Sequence, residues 1–485
     1  MSAPGIRLSD LMRREVPADP VITGVTADSR KVQPGVLFAA LPGQQADGRA
    51  FIPQALALGA AAILAPTDTP GEAAPVLVTS LDVRRAYALA ARGFYGAQPR
   101  VCVAVTGTNG KTSVAGFCRQ IWARQGHNAA SMGTLGVVAQ RGADMHSLTG
   151  PGLTSPDAGE AARLLSALAE GGVTHLALEA SSHGIDQRRL DGVSLSAAGF
   201  TNLTQDHLDY HGDMASYRAA KLRLFDTLLP RGRSAVLNAD SDAYSAFAAA
   251  GIMSGVSVFG VGERGRELTL IDRTPTPEGQ RLTLDVRGAR CEILLPLAGA
   301  FQASNALVAA GLCIAAGEAP DAVLAALAHL EGAEGRLQRI GASRHGGEAF
   351  VDYAHTPDGL ETVLKALRPH AQGRLIVVFG AGGDRDRGKR PLMGGIAARL
   401  ADIAIVTDDN PRSEDPAAIR AEVRAGCPEA LEIGDRRGAI RHAVGLLREG
   451  DVVVVAGKGH EQGQIVGATV HPFDDATEVK NALED

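Results

Sequence analysis

Three groups of side chains in this sequence have the types and spacing needed to work on a phosphate. The run Gly107-Thr108-Asn109-Gly110-Lys111-Thr112, continued by Ser113, combines glycines, a lysine and hydroxyls in one short loop. Glycines let backbone N–H groups converge on phosphate oxygens, Lys111 supplies a mobile cation, and Thr112 offers a hydroxyl to magnesium. Glu179 closes the apolar run His175-Leu176-Ala177-Leu178. A carboxylate at the C-terminal edge of a strand beside a phosphate loop is where nucleotide-bound magnesium is usually held. The third group is Ala180-Ser181-Ser182-His183-Gly184, Gln187-Arg188-Arg189 and the stretch from Asn202 to Gly212, which includes Asp206, His207, Asp209 and His211. Its histidines and carboxylates invite a zinc reading. No His-Glu-x-x-His pair is present, however, and a magnesium-phosphate site with one imidazole explains the residues more simply.

These groups need a scaffold, and the flanking pattern supplies one. Val101 to Val105 is an apolar run suited to a buried strand, and Val114, Phe117, Cys118, Ile121 and Trp122 recur on one face of a following helix. The general eight-residue phosphate-loop pattern would place its first glycine at Val105. Asp157 starts a helix with Ala161, Leu164, Leu165 and Leu168 inward. Lys221 lies on an amphipathic helix from Met214 to Leu229, on the side of Tyr217 and Leu224. By pattern alone, a lysine there snorkels to solvent. Before the loop, a strand at Val36 to Leu41, a helix at Ile52 to Leu58 and a strand at Ala61 to Ala65 form a small α/β unit with polar connections. Beyond Gly332 to Arg336, strands at Ala349 to Asp352, Leu375 to Phe379, Ile403 to Thr407 and Val452 to Ala456 alternate with helices. Each ends in a polar loop, and ligand groups gather at the carboxyl ends of strands in open parallel sheets. Gly380 and Gly382 are half of a dinucleotide fingerprint whose third glycine would fall at Arg385, so nicotinamide binding is rejected.

At 485 residues the chain exceeds one hydrophobic core. Its 45% hydrophobic and 21% charged content is ordinary globular composition, and the formal charge of −6 argues against a general nucleic-acid surface. Five widely spread cysteines without a Cys-x-x-Cys read as buried thiols of a reducing compartment. With no long apolar span or signal-peptide pattern, the expectation is a soluble, cytoplasmic protein with no membrane insertion.

The assembled motifs resemble the Mur ligases, the ATP-dependent amino-acid-adding enzymes of peptidoglycan synthesis. The loop from Gly107 to Thr112 is their form of the phosphate loop, which accounts for Val105. Asp28-Ser29-Arg30, Gln44-Gln45-Ala46-Asp47-Gly48-Arg49, Glu179 to Gly184, Asp206 to Gly212 and Asp409-Asn410-Pro411-Arg412 also match. The resemblance covers nearly the whole chain and is closest to the branch that joins meso-diaminopimelate to UDP-N-acetylmuramoyl-L-alanyl-D-glutamate. It implies three α/β domains: a UDP-binding domain at 1–96, a central phosphate-loop ATPase domain with a mostly parallel sheet at 97–334, and a Rossmann-like amino-acid domain at 335–485. Ser29, Gln44, Gln45 and Ala46 would hold the UDP end, and Thr154, Ser155, Ser181, Gln187 and Arg189 the muramoyl dipeptide. Lys111 with Glu179, His207 and Lys221 would be catalytic. Thr112, Glu179, His207 and Lys221, the last as a carbamate, would place Mg2+, which replaces the snorkelling reading of Lys221. Asn305, Arg336, Asp352 and His355 would help hold ATP across the central and C-terminal domains. Arg385, Asp409, Asn410, Pro411, Arg412, Gly457 and Glu461 would form the amino-acid site. The expected state is a monomer whose domains close on ligand. The alternatives are a lysine-adding Mur ligase, expected to lack Arg412, and a folylpolyglutamate synthetase, expected to lack the N-terminal domain. From other classes come an ATP-hydrolysing switch or motor and, more distantly, a zinc hydrolase.

Overall fold

The computed structural model describes residues 5–16, 18–43, 46–149, 154–276 and 278–484. Gln44 and Gln45, expected at the UDP end, lie outside the described residues. The chain divides into two compact units, Met1–Leu268 with Val308–Val323, and Thr269–Leu307 with Leu324–Asp485.

The first unit contains a two-stranded antiparallel pair, Ile6–Arg7 with Val21–Ile22, and two larger sheets. β1 (Gly24–Thr26), β2 (Val36–Ala39), β3 (Ala62–Pro66) and β4 (Leu77–Ser80) pair in parallel in that order. Helix α1 (Ile52–Ala57) lies between β2 and β3 in the chain, and α2 (Val83–Tyr95) follows β4. Of the largest sheet, the strands within this unit are β5 (Val101–Thr106), β6 (Asn128–Gly133), β7 (Gly136–Arg141), β8 (Asp144–Thr149), β9 (His175–Glu179), β10 (Ala197–Phe200), β11 (Ser234–Asn238) and β12 (Ser257–Gly262). Their spatial order is β8-β7-β6-β9-β5-β10-β11-β12, parallel except where β7 pairs with β6 and β8. Every residue of β9 and β10 is buried, as is β5 after Val101, so these strands read as continuous apolar runs. Helix α3 (Lys111–Arg124) follows β5 and seals that face with the fully buried Val114, Phe117, Cys118, Ile121 and Trp122.

Between β5 and α3 the chain must turn sharply against Thr201. A Cβ on Gly107 (φ +154°) would lie 1.9 Å from Thr201 Oγ1, so close approach demands glycine there. Gly110 (φ +86°) occupies the left-handed position that begins α3. α4 (Ala158–Glu170) is capped by Asp157, α5 (Ser182–Asp186) by Ser181, and α6 (Met214–Arg223) by Asp213.

In the second unit, β13 (Gly279–Val286) and β14 (Ala289–Leu295) form an antiparallel hairpin. The sheet beyond contains β15 (Gln338–Ala342), β16 (Glu348–Asp352), β17 (Leu375–Phe379), β18 (Ile403–Val406), β19 (Leu431–Glu432) and β20 (Val452–Ala456), in spatial order β15-β16-β20-β17-β18-β19. Only β15 is antiparallel to its neighbour. Because β20 inserts between β16 and β17, the chain reverses direction there. The loops after β16, β17, β18 and β20 therefore open at one sheet edge, the switch point at which open α/β sheets take ligands. Arg436 fixes the end of β20. Its guanidinium donates to Ala456 O at 3.1 Å and to both oxygens of the fully buried Asp475 at 2.6 and 2.8 Å.

Candidate active site

In the first unit, the turn before α3 gathers charge of both signs. Lys111 Nζ donates to the carbonyls of Gly107 at 2.9 Å and Thr108 at 2.8 Å. Glu179, at the end of β9, is buried next to it. Its Oε2 accepts from Thr112 Oγ1 at 3.0 Å and Thr134 Oγ1 at 3.3 Å, and its Oε1 accepts from Thr134 N at 2.9 Å. Burial raises its pKa, against the lowering effect of Lys111 and these donors. A buried carboxylate held by hydroxyls and one N–H fits a hard divalent cation, and Thr112 and Glu179 are the oxygen donors in direct contact. Gly133 leaves this carboxylate its space, because a Cβ there would fall 2.0 Å from Oε1.

Lys221 does not snorkel. It is 1% exposed, and its Nζ donates to Gly107 O at 2.9 Å, the same carbonyl that Lys111 uses, while lying 4.5 Å from the Tyr217 ring centroid. Burial above all, then the neighbouring Lys111, hold its pKa well below the usual lysine value, with Asp206 opposing. Burial and a like charge thus both disfavour the protonated amine. His207 sits at left-handed φ +53°, with Nε2 3.4 Å from Asp206 Oδ2. Its ring meets His183 edge-on at 4.9 Å between centroids and Tyr217 at 6.2 Å, so Tyr217 links the His207 and Lys221 walls.

The residues expected around a muramoyl dipeptide extend from Glu179. Ser155 Oγ lies 3.1 Å from both Glu179 O and Ser181 Oγ, and the Thr154 and Thr134 hydroxyls are 3.0 Å apart. Arg189 donates to Gln187 Oε1 at 2.8 Å and to Ser155 O. A cleft of about 530 Å3 brings Gln187 and Ala46 together with Pro42, Arg84, Asp186 and Tyr210. Ser29 is not among its lining residues. The Ser29 hydroxyl donates to Gln54 Oε1 at 3.2 Å.

In the second unit, a cleft of about 750 Å3 opens at the sheet switch point. It is lined by His355, Arg385, Asp409, Asn410, Arg412, Gly457 and Glu461, all expected from the sequence, together with Tyr353, Asp386 and Lys389, which were not. Asn410 is clamped from two sides. Its Nδ2 donates to Glu461 Oε2 at 2.9 Å, and its Oδ1 accepts from Lys458 Nζ at 2.8 Å and Ile465 N at 2.9 Å. Lys458 is fully buried, and Asp409 Oδ1 lies 3.5 Å from it. Sequence reasoning passed over Lys458. The available signal was a lysine between two glycines in the loop after a fully apolar strand. Pro411 leads into Arg412 (φ +51°), whose guanidinium donates to Gly383 O at 2.8 Å.

The four residues expected to reach ATP from this unit form a connected set. Asn305 donates to Gln302 Oε1 at 3.3 Å, and Gln302 donates to Arg336 O at 3.3 Å. The Arg336 guanidinium lies 4.6 Å from the Tyr353 ring centroid, and His355 Nδ1 is 2.8 Å from Tyr353 O. Asp352 accepts from Leu337 N at 2.6 Å and Ala354 N at 2.7 Å. Burial raises its pKa to about 6, against the lowering effect of these N–H groups and Arg336.

The chain as a whole is similar to known proteins. Residues 21–95 match the family model described as Mur ligase family, catalytic domain, residues 105–313 the Mur ligase middle domain, and residues 335–459 the Mur ligase, glutamate ligase domain. The chain is 69% identical over 480 residues to a Caulobacter vibrioides protein named UDP-N-acetylmuramoyl-L-alanyl-D-glutamate--2,6-diaminopimelate ligase, covering 99% of each. To the protein of that name from Rhizobium meliloti it is 54% identical over 464 residues, 95% of this chain and 94% of the relative. A solved structure of a ligase of that name superposes with a TM-score of 0.78 at 34% identity, over 99% of both chains.

The raised pKa of Asp352 makes a signed prediction. The folded state holds the proton more tightly than the unfolded chain, so this group's stabilising contribution is present below about pH 4 and is lost as pH rises through about 6. Between pH 4 and 7, wild type should lose up to about 3 kcal/mol relative to Asp352→Asn. Urea unfolding of both proteins across that range checks it, and parallel pH profiles would contradict it.

Proposed function

The chain belongs to the Mur ligase family of ATP-dependent ligases, and from that premise we propose that it joins meso-diaminopimelate to the D-glutamate γ-carboxylate of UDP-N-acetylmuramoyl-L-alanyl-D-glutamate. The observation that carries the choice of amino acid is the second-unit cleft, where Arg385, Lys389 and Arg412 alternate with Asp386, Asp409 and Glu461. Diaminopimelate carries a second carboxylate and ammonium head that lysine lacks. Arg412 can pair that carboxylate while Asp409 and Asn410 take the ammonium.

A carboxylate is a poor electrophile at neutral pH, and ATP supplies the activation. The γ-carboxylate attacks the γ-phosphorus, ADP leaves, and an acyl phosphate forms. The amine of the incoming amino acid then adds to the acyl carbon, phosphate departs, and an amide remains. In this reading Lys111 and the N–H groups of the loop from Gly107 to Ser113 that Asn202 does not occupy cradle the phosphates and offset charge that builds in the transition state, while Asn202 holds the N–H groups of Thr108 at 2.9 Å and Asn109 at 3.0 Å and so fixes the loop's shape around Gly110. Thr112, Glu179, His207 and the Lys221 carbamate would hold Mg2+, which would supply Lewis-acid stabilisation of phosphate charge. Lys221 serves as a carbamate. Its unprotonated Nζ attacks carbon dioxide and loses one proton to solvent, and the depressed pKa supports this role.

We assign Ser29, Gln44, Gln45 and Ala46 to the UDP end and Thr154, Ser155, Ser181, Gln187 and Arg189 to the dipeptide. Asn305, Arg336, Asp352 and His355 are assigned to ATP, and Arg385, Asp409 to Arg412, Gly457 and Glu461 to diaminopimelate. The proposed domain limits are 1–96, 97–334 and 335–485. Among the described residues no helix is long and apolar enough to cross a membrane. We place the reaction in the cytoplasm, carried out by a monomer.

Phosphate release should require ATP, the UDP-muramoyl dipeptide and diaminopimelate together. Lysine should support turnover on the order of 10⁴-fold less well, because it leaves Arg412 unpaired. Arg412→Ala should raise the KM for diaminopimelate roughly ten- to hundredfold. Equal turnover with lysine would remove the specificity claim, and phosphate release without either acceptor would favour a hydrolytic switch. For Lys221, ¹³C-bicarbonate should give a carbamate resonance in wild type that is absent from Lys221→Arg. The same spectrum from both proteins would exclude the modification.

A further inference from the structure

At the end of β9 opposite Glu179, a second cluster of ligand-type side chains has no part in the reaction above. His175 opens β9, His127 precedes β6, and Glu318 follows the helix Ala300–Ala315, all within the first unit. His127 Nε2 lies 3.1 Å and His175 Nε2 3.4 Å from the same oxygen, Glu318 Oε1. The two imidazoles are face to face, with centroids 4.0 Å apart and planes 32° from parallel. One donor atom from each residue falls within 4.8 Å of the others. Zinc bonds of about 2.0 to 2.1 Å in a tetrahedral arrangement separate neighbouring donors by about 3.3 Å, so only a small adjustment is needed.

One of the two tautomers open to His175 leaves room for a cation at the centre of this cluster. Thr174 Oγ1 has one proton and two neighbours, Asn128 O at 3.2 Å and His175 Nδ1 at 2.8 Å. A carbonyl only accepts, so when the hydroxyl proton goes to Asn128, His175 must donate through Nδ1–H. A neutral His175 then points the Nε2 lone pair at a carboxylate oxygen 3.4 Å away, an arrangement that repels unless a positive centre lies between them. An imidazole oriented by a hydrogen bond from its far nitrogen is the usual condition of a metal-bound histidine.

We propose that His127, His175 and Glu318 bind one divalent transition-metal ion, zinc before others, at a site separate from the phosphate loop. Two imidazoles and a carboxylate suit zinc and disfavour magnesium, which takes oxygen ligands. His127 and Glu318 are partly exposed, which gives the ion an entry path and leaves a fourth position for water. Bound there, the ion ties the start of β9 to the turn after α3 and to the segment after the Ala300–Ala315 helix.

The test is equilibrium dialysis of the full-length, chelator-stripped chain against micromolar Zn2+ in excess Mg2+, with bound metal counted by mass spectrometry. Wild type should retain one zinc per chain, and His127→Ala and Glu318→Ala should each bind at least tenfold more weakly. Ligase turnover in magnesium buffer should be unchanged in both variants. Cobalt substitution should give wild type a visible absorption band that His127→Ala loses. The proposal is overturned if wild type retains no zinc or if both variants retain as much as wild type. Should one variant fail to fold by circular dichroism, the other and the wild-type titration still decide.

Discussion

A buried carboxylate at the end of a parallel strand is the constraint on which the first unit's site depends. Glu179 is 4% exposed, and its contacts are two threonine hydroxyls and one backbone N–H. Burying an anion with neutral donors alone is costly, and here it raises the pKa. The surroundings are arranged to tolerate this anion. Gly133 gives it room, Thr112 comes from the first turn of α3, and Lys111 and Lys221 converge on the carbonyl of Gly107. Burial and the neighbouring Lys111 lower the Lys221 pKa, so one buried anion and one depressed amine belong to a single electrostatic balance. In the proposed reaction, that balance is completed by Mg2+ and the phosphates of ATP.

The second unit meets a different requirement with the same topology. In the proposed reaction its cleft reads a zwitterion, so fixed charges of both signs must stand close without collapsing onto one another. The buried Lys458 achieves this by holding the Asn410 carbonyl while Glu461 takes the Asn410 amide. Asp409 Oδ1 lies 3.5 Å from that lysine. Arg436, locked to Asp475, braces the end of β20 from below. The charged loop therefore rests on a second layer of buried ions.

Much of this was legible in the sequence because buried parallel strands are written as unbroken apolar runs. The runs ending at Val105, Glu179, Asp352, Phe379 and Ala456 gave strand ends to within one residue. Glycine spacing located the turn before α3, and the motif at 409–412 located a loop that lines the second-unit cleft. Less legible was the state of single lysines. Lys221 shares its helical face with the buried Tyr217 and Leu224, and periodicity cannot say whether a long side chain turns inward or out. Lys458 was hidden because it stands in a glycine-flanked loop, where no periodicity marks an inward side chain. The grouping of His127, His175 and Glu318 comes from strand order and a distant helix end, which no local spacing encodes. The antiparallel hairpin of β13 and β14 also lay outside the sequence reading.

The central claim is that the phosphate loop, Glu179 and the paired lysines serve phosphoryl transfer to a carboxylate rather than to water. Transfer of oxygen reports on this directly. With the D-glutamate γ-carboxylate of the UDP-muramoyl dipeptide labelled with ¹⁸O, mass spectrometry of the phosphate released in a complete reaction should find one labelled oxygen per phosphate. Unlabelled phosphate, formed at the same rate as the amide, would contradict an acyl phosphate and with it the role assigned to this site.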